Sequence, residues 1–303
     1  MNTRSASGKD QIENAILNFP GFVPDNIDLS AFMDEEQVHR IKNASEYQEK
    51  LLQLIRGHGE AGDASPWEST EGKFVFRPAE LSVWSGFKGH GKSLVIGQIF
   101  EKFISDGKKV FIISPEFPPH RVLYRMLIQS LTKAGLREDI AIDWLDAVKT
   151  KLWIYDQQSS LKPKDIIALC RYAVERMGVQ HILIDSLMKC GIDQDDYSGQ
   201  KRFVDAIQQV AHKSKVHIHL VAHMKKGKDD KEVGGLHSVK GASEIADLAE
   251  NVIVVWRNKE KELGGGKQEE PDCVVKIEAQ RNGDGWIGKI PLYFNHASYT
   301  FKE

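Results

Sequence analysis

Short apolar runs alternate with longer segments of helical spacing along most of the chain, from Leu81 onward. Seven of these runs have the length of buried strands: LSVWS, KVFIIS, LWIY, HILID, VHIHLVA, NVIVVW and CVVKIEA. Between the first five lie segments whose apolar residues recur every three or four positions, such as KSLVIGQIFEKFIS and KPKDIIALCRYAVERM. Strands that alternate with helices form parallel sheets covered on both faces. The pattern therefore predicts an α/β fold with a mostly parallel sheet, and an antiparallel meander for the closely spaced last strands.

The first 72 residues follow a different pattern. Apolar residues recur there at steps of three and four: Val38, Ile41, Ala44, Tyr47, Leu51 and Ile55. This spacing predicts an amphipathic helix over residues 34–56, and the GHGEAGDASP that follows it has the composition of a flexible linker. The residues alone leave open whether the helix packs on its own domain or docks on a neighbouring subunit. We predict an arm and helix at residues 1–72 and an α/β domain at residues 73–303.

Composition and charge exclude several classes of protein. The chain has 303 residues and a formal net charge of −2, so any nucleic-acid site has to be a local patch rather than a global basic field. Its three cysteines are widely spaced and form no CxxC pair, which argues against a structural zinc site and favours a reducing compartment. Neither a membrane-spanning run nor a signal-peptide core is present in the sequence, so we expect a cytoplasmic protein without a membrane partner.

The stretch SGFKGHGKS carries the pattern G-x-x-x-x-G-K-[ST] between a predicted strand and a predicted helix. Its glycines let backbone N–H groups turn inward around phosphate oxygens, and the helix N-terminus adds the positive end of its dipole. We expect Lys92, at an exposed position, to hold the β- and γ-phosphates, and Ser93 to ligate Mg²⁺. The loop thus predicts a site for Mg²⁺ with ATP or another ribo- or deoxyribonucleoside triphosphate. We assign nucleotide binding to Gly86, Gly89, Gly91, Lys92, Ser93 and Leu94.

Two further positions narrow the kind of nucleotide hydrolase. Asp185 ends the run HILID. We interpret it as the carboxylate that contacts Mg²⁺ through a water molecule. The next residue is Ser186 and not Glu, so no base for the attacking water follows Asp185, which argues against an AAA+ machine. The sequence RNKE at 257–260 differs from the guanine-reading NKxD and argues against a GTPase.

Candidates for the missing base and for a phosphate sensor follow other predicted strands. Glu116 comes after KVFIIS, and ligands gather beyond the carboxyl ends of parallel strands. If its strand neighbours the strand before the glycine-rich loop, Glu116 can polarise a water for attack on the γ-phosphate. His223 ends the run VHIHLVA and is a candidate γ-phosphate sensor. His217 and His219 share one face of that run, but no carboxylate or cysteine spacing supports a metal site there.

Basic residues crowd the segment that follows His223. Lys225, Lys226 and Lys228 lie in a glycine-rich stretch that also contains acidic residues. This is either a solvated charged loop or a mobile finger that grips a nucleic-acid backbone. The periodicity of the sequence does not decide between the two.

The order of these motifs resembles that of the DnaB-like hexameric replicative DNA helicases, above all the helicase half of phage primase-helicases. The matching motifs run from SGFKGHGKS through SPEFP, ILIDSL, LVAHMKKG and LHSVKGASEIADLAENVIVVWRN to EAQRNGDGWIG, and the match extends from Leu81 to Phe301. The resemblance implies a RecA-like P-loop core, a ring-shaped homo-hexamer, and NTP-driven travel on single-stranded DNA from 5′ to 3′ at a replication fork. It also implies a separate primase, polymerase or loader as partner, and a bacterial host cytoplasm if a phage encodes the chain.

The resemblance also implies roles for single residues. Glu116 resembles the family's catalytic glutamate and His223 its γ-phosphate sensor. Arg281 resembles an arginine finger that serves the neighbouring subunit's nucleotide, and Arg257 and Phe294 resemble the pair that sandwiches the base. The implied DNA-binding residues are Lys225, Lys226, Lys228, Lys240, Gly241 and Ser243. The helix at residues 34–56 stands where the family has a linker helix that docks on the adjacent subunit.

The sequence departs from the family pattern at one catalytic position. The family often carries a lysine two residues before the finger, and this chain has Ala279, which predicts a weaker cationic contact to the γ-phosphate. No primase region precedes the motor, so we expect no priming activity from this chain. Two other functions stay open: a RecA-like DNA-dependent ATPase or recombinase, and a ring-forming signalling ATPase that binds protein.

Overall fold

The computed structural model describes residues 42–56, 61–223 and 243–303. Contacts within the chain divide it into two units, Met1–Gly59 and Glu60–Glu303. The first unit contributes a single helical stretch to the described residues, and the second contributes the α/β domain.

Helix α1, Gln48–Ile55, continues a one-turn 3₁₀ helix, Ala44–Tyr47. Asn43 begins this stretch with a capping box: its side chain accepts a hydrogen bond from the backbone N–H of Ser45, and Glu46 accepts one from the N–H of Asn43. Of the helix predicted over residues 34–56, residues 44–55 are helical, and the cap at Asn43 begins a new helical stretch there, so the prediction of one uninterrupted helix is wrong at residues 42 and 43. The residues before position 42 lie outside the described ranges.

Eleven strands lie in the described residues of the second unit. They are β1 Asp63–Ala64, β2 Val75–Phe76, β3 Leu81–Ser85, β4 Val110–Ile113, β5 Leu152–Tyr155, β6 His181–Asp185, β7 His217–Val221, β8 Asn251–Arg257, β9 Cys273–Gln280, β10 Gly288–Asn295 and β11 Thr300–Lys302. Strands β1 and β2 form an antiparallel pair, and the other nine form one sheet in the order β11-β10-β9-β8-β3-β7-β6-β4-β5.

The sheet is parallel from β8 to β5 and antiparallel from β8 to β11. All seven predicted apolar runs are strands, β3 to β9, and the predicted α/β fold with a mostly parallel sheet is confirmed. The meander begins at β8, which runs parallel to β3 on one side and antiparallel to β9 on the other.

The connections between the parallel strands contain the helices α2 Lys92–Ser105, α3 Pro119–Leu131, α4 Glu138–Val148, α5 Pro163–Tyr172, α6 Tyr197–Ser214 and α7 Ser243–Leu248. A short helix, α8 Lys259–Glu262, lies between the antiparallel strands β8 and β9. Helices α3 and α5 each begin with a proline, whose missing N–H costs nothing in the first turn. Within the described ranges, none of the helices combines the length and apolar character that crossing a bilayer requires.

Apolar side chains cover both faces of the sheet. Successive residues of β3 point to opposite sides, so Val83 joins a core with Phe203 of α6, and Trp84 joins a second core with Ile99 and Phe103 of α2. Strands β3, β6 and β7 are buried along their whole length. The side chains that follow these strands therefore project from a rigid, closely packed edge.

Candidate nucleotide-hydrolysis site

The glycine-rich loop lies between β3 and α2, where close packing and backbone angles both require glycine. A Cβ on Gly86 would lie 2.3 Å from the carbonyl oxygen of Val255 in the adjacent strand β8, so no side chain fits there. Gly91 has a φ of 83° as it starts α2, in the left-handed region that glycine enters without strain. The loop can thus hold its backbone close against β8 and turn directly into the helix.

Lys92 lies beneath the loop rather than on its surface. Its side chain is only 6% exposed, and Nζ donates hydrogen bonds to the carbonyl oxygens of Gly86 at 2.8 Å and Phe87 at 3.0 Å. The expected exposed position is therefore wrong, because the side chain folds back onto carbonyls of its own loop. Burial lowers the pKa of Lys92 to about 8, against the opposing pull of the Asp185 and Glu116 carboxylates.

Ser93 and Asp185 meet beside the loop and offer oxygen ligands for a hard cation. The Ser93 hydroxyl donates to Asp185 Oδ2 at 3.1 Å, across the gap between α2 and the end of β6. Burial and the nearby charge of Glu116 raise the pKa of Asp185 to about 6. Mg²⁺ prefers oxygen ligands and takes few of them from the protein, since phosphates and water supply the rest. A hydroxyl and a carboxylate at one position fit that ion.

Glu116 lies near these residues, but its strand has a different position in the sheet from the one considered in the sequence analysis. Its strand β4 does not neighbour β3, because β7 and β6 lie between them. Glu116 instead lies three residues beyond the end of β4 and extends towards the end of β6. There the Ser186 hydroxyl donates to Glu116 Oε1 at 2.7 Å, and Nε2 of His223, which follows β7, lies 3.7 Å from the same oxygen.

The charge state of Glu116 follows from these neighbours. His223 and then Ser186 stabilise the carboxylate and lower its pKa to about 2, although partial burial works in the opposite direction. At neutral pH the group is an anion with weak affinity for a proton. It is suited to orienting and polarising a water molecule rather than to storing its proton.

Arg257 and Phe294 both lie near the glycine-rich loop. Arg257 ends β8 and donates from Nη1 to the carbonyl oxygen of Gly89 at 3.1 Å. Phe294 of β10 packs on Phe301 with ring centroids 5.1 Å apart, and Phe301 lies 3.8 Å from the point where a Cβ on Gly91 would stand. The structure therefore brings both candidates to the loop's side of the sheet, and their contact with a base stays a prediction.

Arg281 lies at the opposite end of the strands from the glycine-rich loop. It is exposed and directly follows β9, which runs antiparallel to β8, and its backbone N–H donates to the carbonyl of Glu250 at 2.9 Å. Gly86 contacts β8 near the other end, at Val255. Five residue steps of extended strand, from Glu250 to Val255, separate these two points by roughly 17 Å. The structure thus separates Arg281 from the phosphate loop of its own chain.

Most of the predicted DNA-binding residues cannot be located relative to this site. Lys225, Lys226, Lys228, Lys240 and Gly241 lie outside the described residues. Ser243 begins α7, where only its backbone is described. Their contact with DNA stays a prediction.

His219 of β7 belongs to a buried hydrogen-bond chain that the sequence did not reveal. Trp84 Nε1 donates to His219 Nδ1 at 3.1 Å, His219 Nε2 lies 3.2 Å from His181 Nδ1, and His181 Nε2 lies 2.9 Å from Asp63 Oδ2. Because an indole N–H can only donate, the direction is set, and each imidazole carries one proton. Burial lowers the pKa of each of these histidines and of His217. The chain needs them neutral.

Ser186 is the second feature that sequence reasoning missed. In the sequence it only signals the lack of a glutamate after Asp185, whereas the structure makes it the link between Glu116 and His223. A small hydroxyl residue directly after a buried strand's carboxylate was the available signal. Its meaning depended on which strands lie on either side.

Comparison with known proteins agrees with this geometry. A sequence model of the DnaB-like helicase C-terminal domain matches residues 69–303. A DnaB-like replicative helicase, whose structure was determined in a study of its interactions with primase, has a TM-score of 0.70 and 14% identity, over 86% of this chain and 67% of that chain. A second solved structure, that of an ATPase domain, has a TM-score of 0.72 and 14% identity, over 86% of this chain and 99% of that chain. At this level of identity the two likenesses show a shared fold.

Proposed function

We propose that this chain, which belongs to the DnaB-like helicase C-terminal domain family, is the motor of a ring-shaped homo-hexamer. In this proposal the ring moves 5′ to 3′ on single-stranded DNA and unwinds duplex DNA. Membership of the family makes it a nucleotide-hydrolysing helicase-type ATPase. The observation that carries the proposal is the meeting of three strand ends at the glycine-rich loop. Asp185, Glu116 and His223 follow or end three neighbouring strands and lie together at the carboxyl ends of those strands.

In the proposed mechanism each of these groups has a separate task. The glycine-rich loop and Lys92 bind the triphosphate, and Ser93 and Asp185 hold Mg²⁺, with Asp185 acting through water. When bound, Mg²⁺ neutralises charge on the phosphates and lowers the cost of moving a phosphoryl group. Glu116 orients water for in-line attack, and His223 contacts the γ-phosphate.

Arg281 completes the site of a neighbouring subunit in this proposal. Its backbone contacts β8 roughly 17 Å along the strand from the point where its own phosphate loop does, which is farther than an arginine side chain extends. Its guanidinium is exposed, permanently charged and suited to bidentate phosphate contact. Each nucleotide is then hydrolysed between two subunits, so that hydrolysis can move one subunit relative to the next.

We propose that the arm and helix of residues 1–72 dock on an adjacent subunit and that residues 73–303 form the motor, to which β1 also belongs through its pairing with β2. The apolar residues of α1 support this division, because Leu51, Leu54 and Ile55 are each more than half exposed. An amphipathic helix gains stability only when its apolar face is covered, and an adjacent subunit offers that cover. One of the two fold relatives is a helicase studied with its primase, which makes a separate primase our first candidate for a further partner, ahead of a polymerase or loader.

A forked-duplex assay tests the proposal. With ATP and Mg²⁺, we expect unwinding of a fork that has a 5′ single-stranded tail and none of a duplex with only a 3′ tail. The Lys92→Ala variant is the control for contaminating activity. Repeating the assay with each other NTP and dNTP identifies the nucleotide that the protein prefers. DNA-stimulated hydrolysis with filaments in electron micrographs and no unwinding would favour the recombinase. A hydrolysis rate that does not change when DNA is added would favour the signalling ATPase.

A further inference from the structure

Ser186 occupies the middle position among the three strand ends that form the hydrolysis site. Strand β6 lies between β4 and β7, so the residue after β6 stands between Glu116, which follows β4, and His223, which follows β7. The Ser186 oxygen is 2.7 Å from Glu116 Oε1 and 3.4 Å from His223 Nε2. The direct separation of Glu116 Oε1 and His223 Nε2 is 3.7 Å, too long for a good hydrogen bond. The serine hydroxyl therefore bridges the two side chains.

The direction of the two hydrogen bonds follows from the groups involved. A serine hydroxyl has one hydrogen, and an ionised carboxylate can only accept, so Ser186 donates to Glu116. The Ser186 oxygen is then free to accept from Nε2–H of His223. Nδ1 of His223 is buried and has no hydrogen-bond partner among the described residues. The order is His223 to Ser186 to Glu116, with every hydrogen pointing towards the carboxylate.

The backbone around Ser186 restricts where its hydroxyl can point. Ser186 starts the 3₁₀ turn Leu187–Lys189, and its carbonyl oxygen accepts from the N–H of Lys189 at 2.9 Å. The thiol of Cys190 lies 3.5 Å from the same oxygen. With 1% of its surface exposed, Ser186 is shielded from bulk solvent. A hydroxyl held in this way can set the orientation of the groups that it contacts.

We propose that Ser186 is a positioning residue for hydrolysis, whose hydroxyl holds Glu116 in the orientation that polarises the attacking water and makes that orientation depend on His223. Movement of His223 towards a γ-phosphate changes the hydrogen bond that Ser186 accepts, and Ser186 passes the change to Glu116. The inference rests on the proposed function, because it requires that Glu116 acts on the attacking water.

A double-mutant cycle tests the inference. We expect Ser186→Ala to slow single-turnover hydrolysis of Mg·ATP by about tenfold, the loss typical of one hydrogen bond to a charged group, and to leave the nucleotide dissociation constant unchanged. In a Glu116→Gln background the same change should have almost no further effect, because the group through which it acts is already lost. A serine whose role is only structural would slow both backgrounds by the same factor.

Ser85→Ala is the matched control. Ser85 also ends a buried parallel strand beside the site, but its hydroxyl has no hydrogen-bond partner within the described part of the chain. We expect its removal to leave the hydrolysis rate unchanged. Ser186→Cys is the conservative variant: it keeps the shape of the side chain with a somewhat larger atom and supplies a weaker donor, so its rate should lie between those of serine and alanine. Melting curves show whether each variant is folded, and the Cys variant carries the test if Ser186→Ala does not fold.

Two outcomes separate the inference from the proposed function. If Glu116→Gln hydrolyses ATP at the wild-type rate, the catalytic assignment on which the proposed function depends is wrong. If Glu116→Gln is slow, but Ser186→Ala matches wild type or multiplies the loss in the double variant, the role of Ser186 is wrong and the proposed function stands. A Cys variant no faster than the Ala variant would also contradict a role through hydrogen bonding.

Discussion

Lys92 donates two hydrogen bonds to carbonyl groups of its own loop, so a triphosphate has to compete with Gly86 and Phe87 for the same ammonium group. Its burial lowers the pKa to about 8. The charge that attracts phosphate is therefore complete below that value and is lost as the pH rises through it. An unperturbed lysine would keep its charge about two pH units further.

Nucleotide affinity should consequently fall with alkaline pH. We predict that the dissociation constant for a nucleoside triphosphate rises by about tenfold per pH unit above pH 8, until binding without the lysine charge is reached. Isothermal calorimetry or a fluorescent analogue at constant Mg²⁺ measures this. The Lys92→Arg variant, whose guanidinium stays charged, should show no such slope whatever its absolute affinity. A flat profile in the wild type would mean that Lys92 keeps its charge in the free protein.

At the scale of the elements, the histidine chain joins four strands through side chains. Asp63 belongs to β1, Trp84 to β3, His181 to β6 and His219 to β7, and the Lys108 ammonium lies 2.7 Å from Asp63 Oδ1. Protonation of His219 or His181 would place two donors against each other. His217, at the start of β7, bonds the Arg77 carbonyl through Nδ1 and the Ser82 hydroxyl through Nε2. The packing of these strands therefore favours neutral imidazoles.

We predict that His217 weakens the fold as the pH falls. Burial lowers its pKa from 6.5 to about 3, so the unfolded chain binds a proton that the folded chain does not. The stability due to this group is complete above about pH 6.5 and declines as the pH falls towards 3. A His217→Gln variant lacks this proton uptake, and its stability relative to wild type should rise by roughly 1.4 kcal/mol per pH unit between about pH 6 and pH 4.

Urea unfolding of both proteins across this range checks the prediction. Glu101 and Asp185 have raised pKa values, which act in the opposite direction, but they are present in both proteins and cancel in the difference. Parallel stability curves for the two proteins would show that His217 takes up its proton without cost in the folded state.

At the scale of the whole molecule, the distance between Arg281 and its own phosphate loop makes a prediction about mixed assemblies. If Arg281 serves a neighbour, a Lys92→Ala subunit and an Arg281→Ala subunit can still form one complete site between them. We predict that each variant alone is nearly inactive, with Arg281→Ala slower by about 10³, and that co-assembled mixtures recover measurable ATP hydrolysis. Single-turnover measurements on subunits mixed in the dissociated state, with exchange demonstrated, provide the test. Full exchange with no recovered turnover would contradict the assignment between subunits.

Local features of this protein, and its family, could be predicted from the order of its residues. Seven apolar runs predicted seven strands because burial on both faces of a sheet leaves a continuous apolar signature. The spacing of Gly86, Gly91, Lys92 and Ser93 predicted the phosphate loop, since backbone turns and helix starts are set by neighbouring residues. The order of the motifs was enough to indicate the DnaB-like family, and the family match over residues 69–303 confirmed it.

How these local segments meet depends on contacts between residues that are far apart in the sequence. The order of strands depends on long-range crossovers, which no local pattern records, and the condition set for Glu116, that β4 neighbours β3, is not met. That order gave Ser186 its place between Glu116 and His223. Burial likewise depends on neighbours distant in sequence, which is why Lys92 is covered where an exposed position was expected. The antiparallel return of β9 carried Arg281 away from its own loop, because direction in a sheet is settled by pairing and not by the residues of one strand.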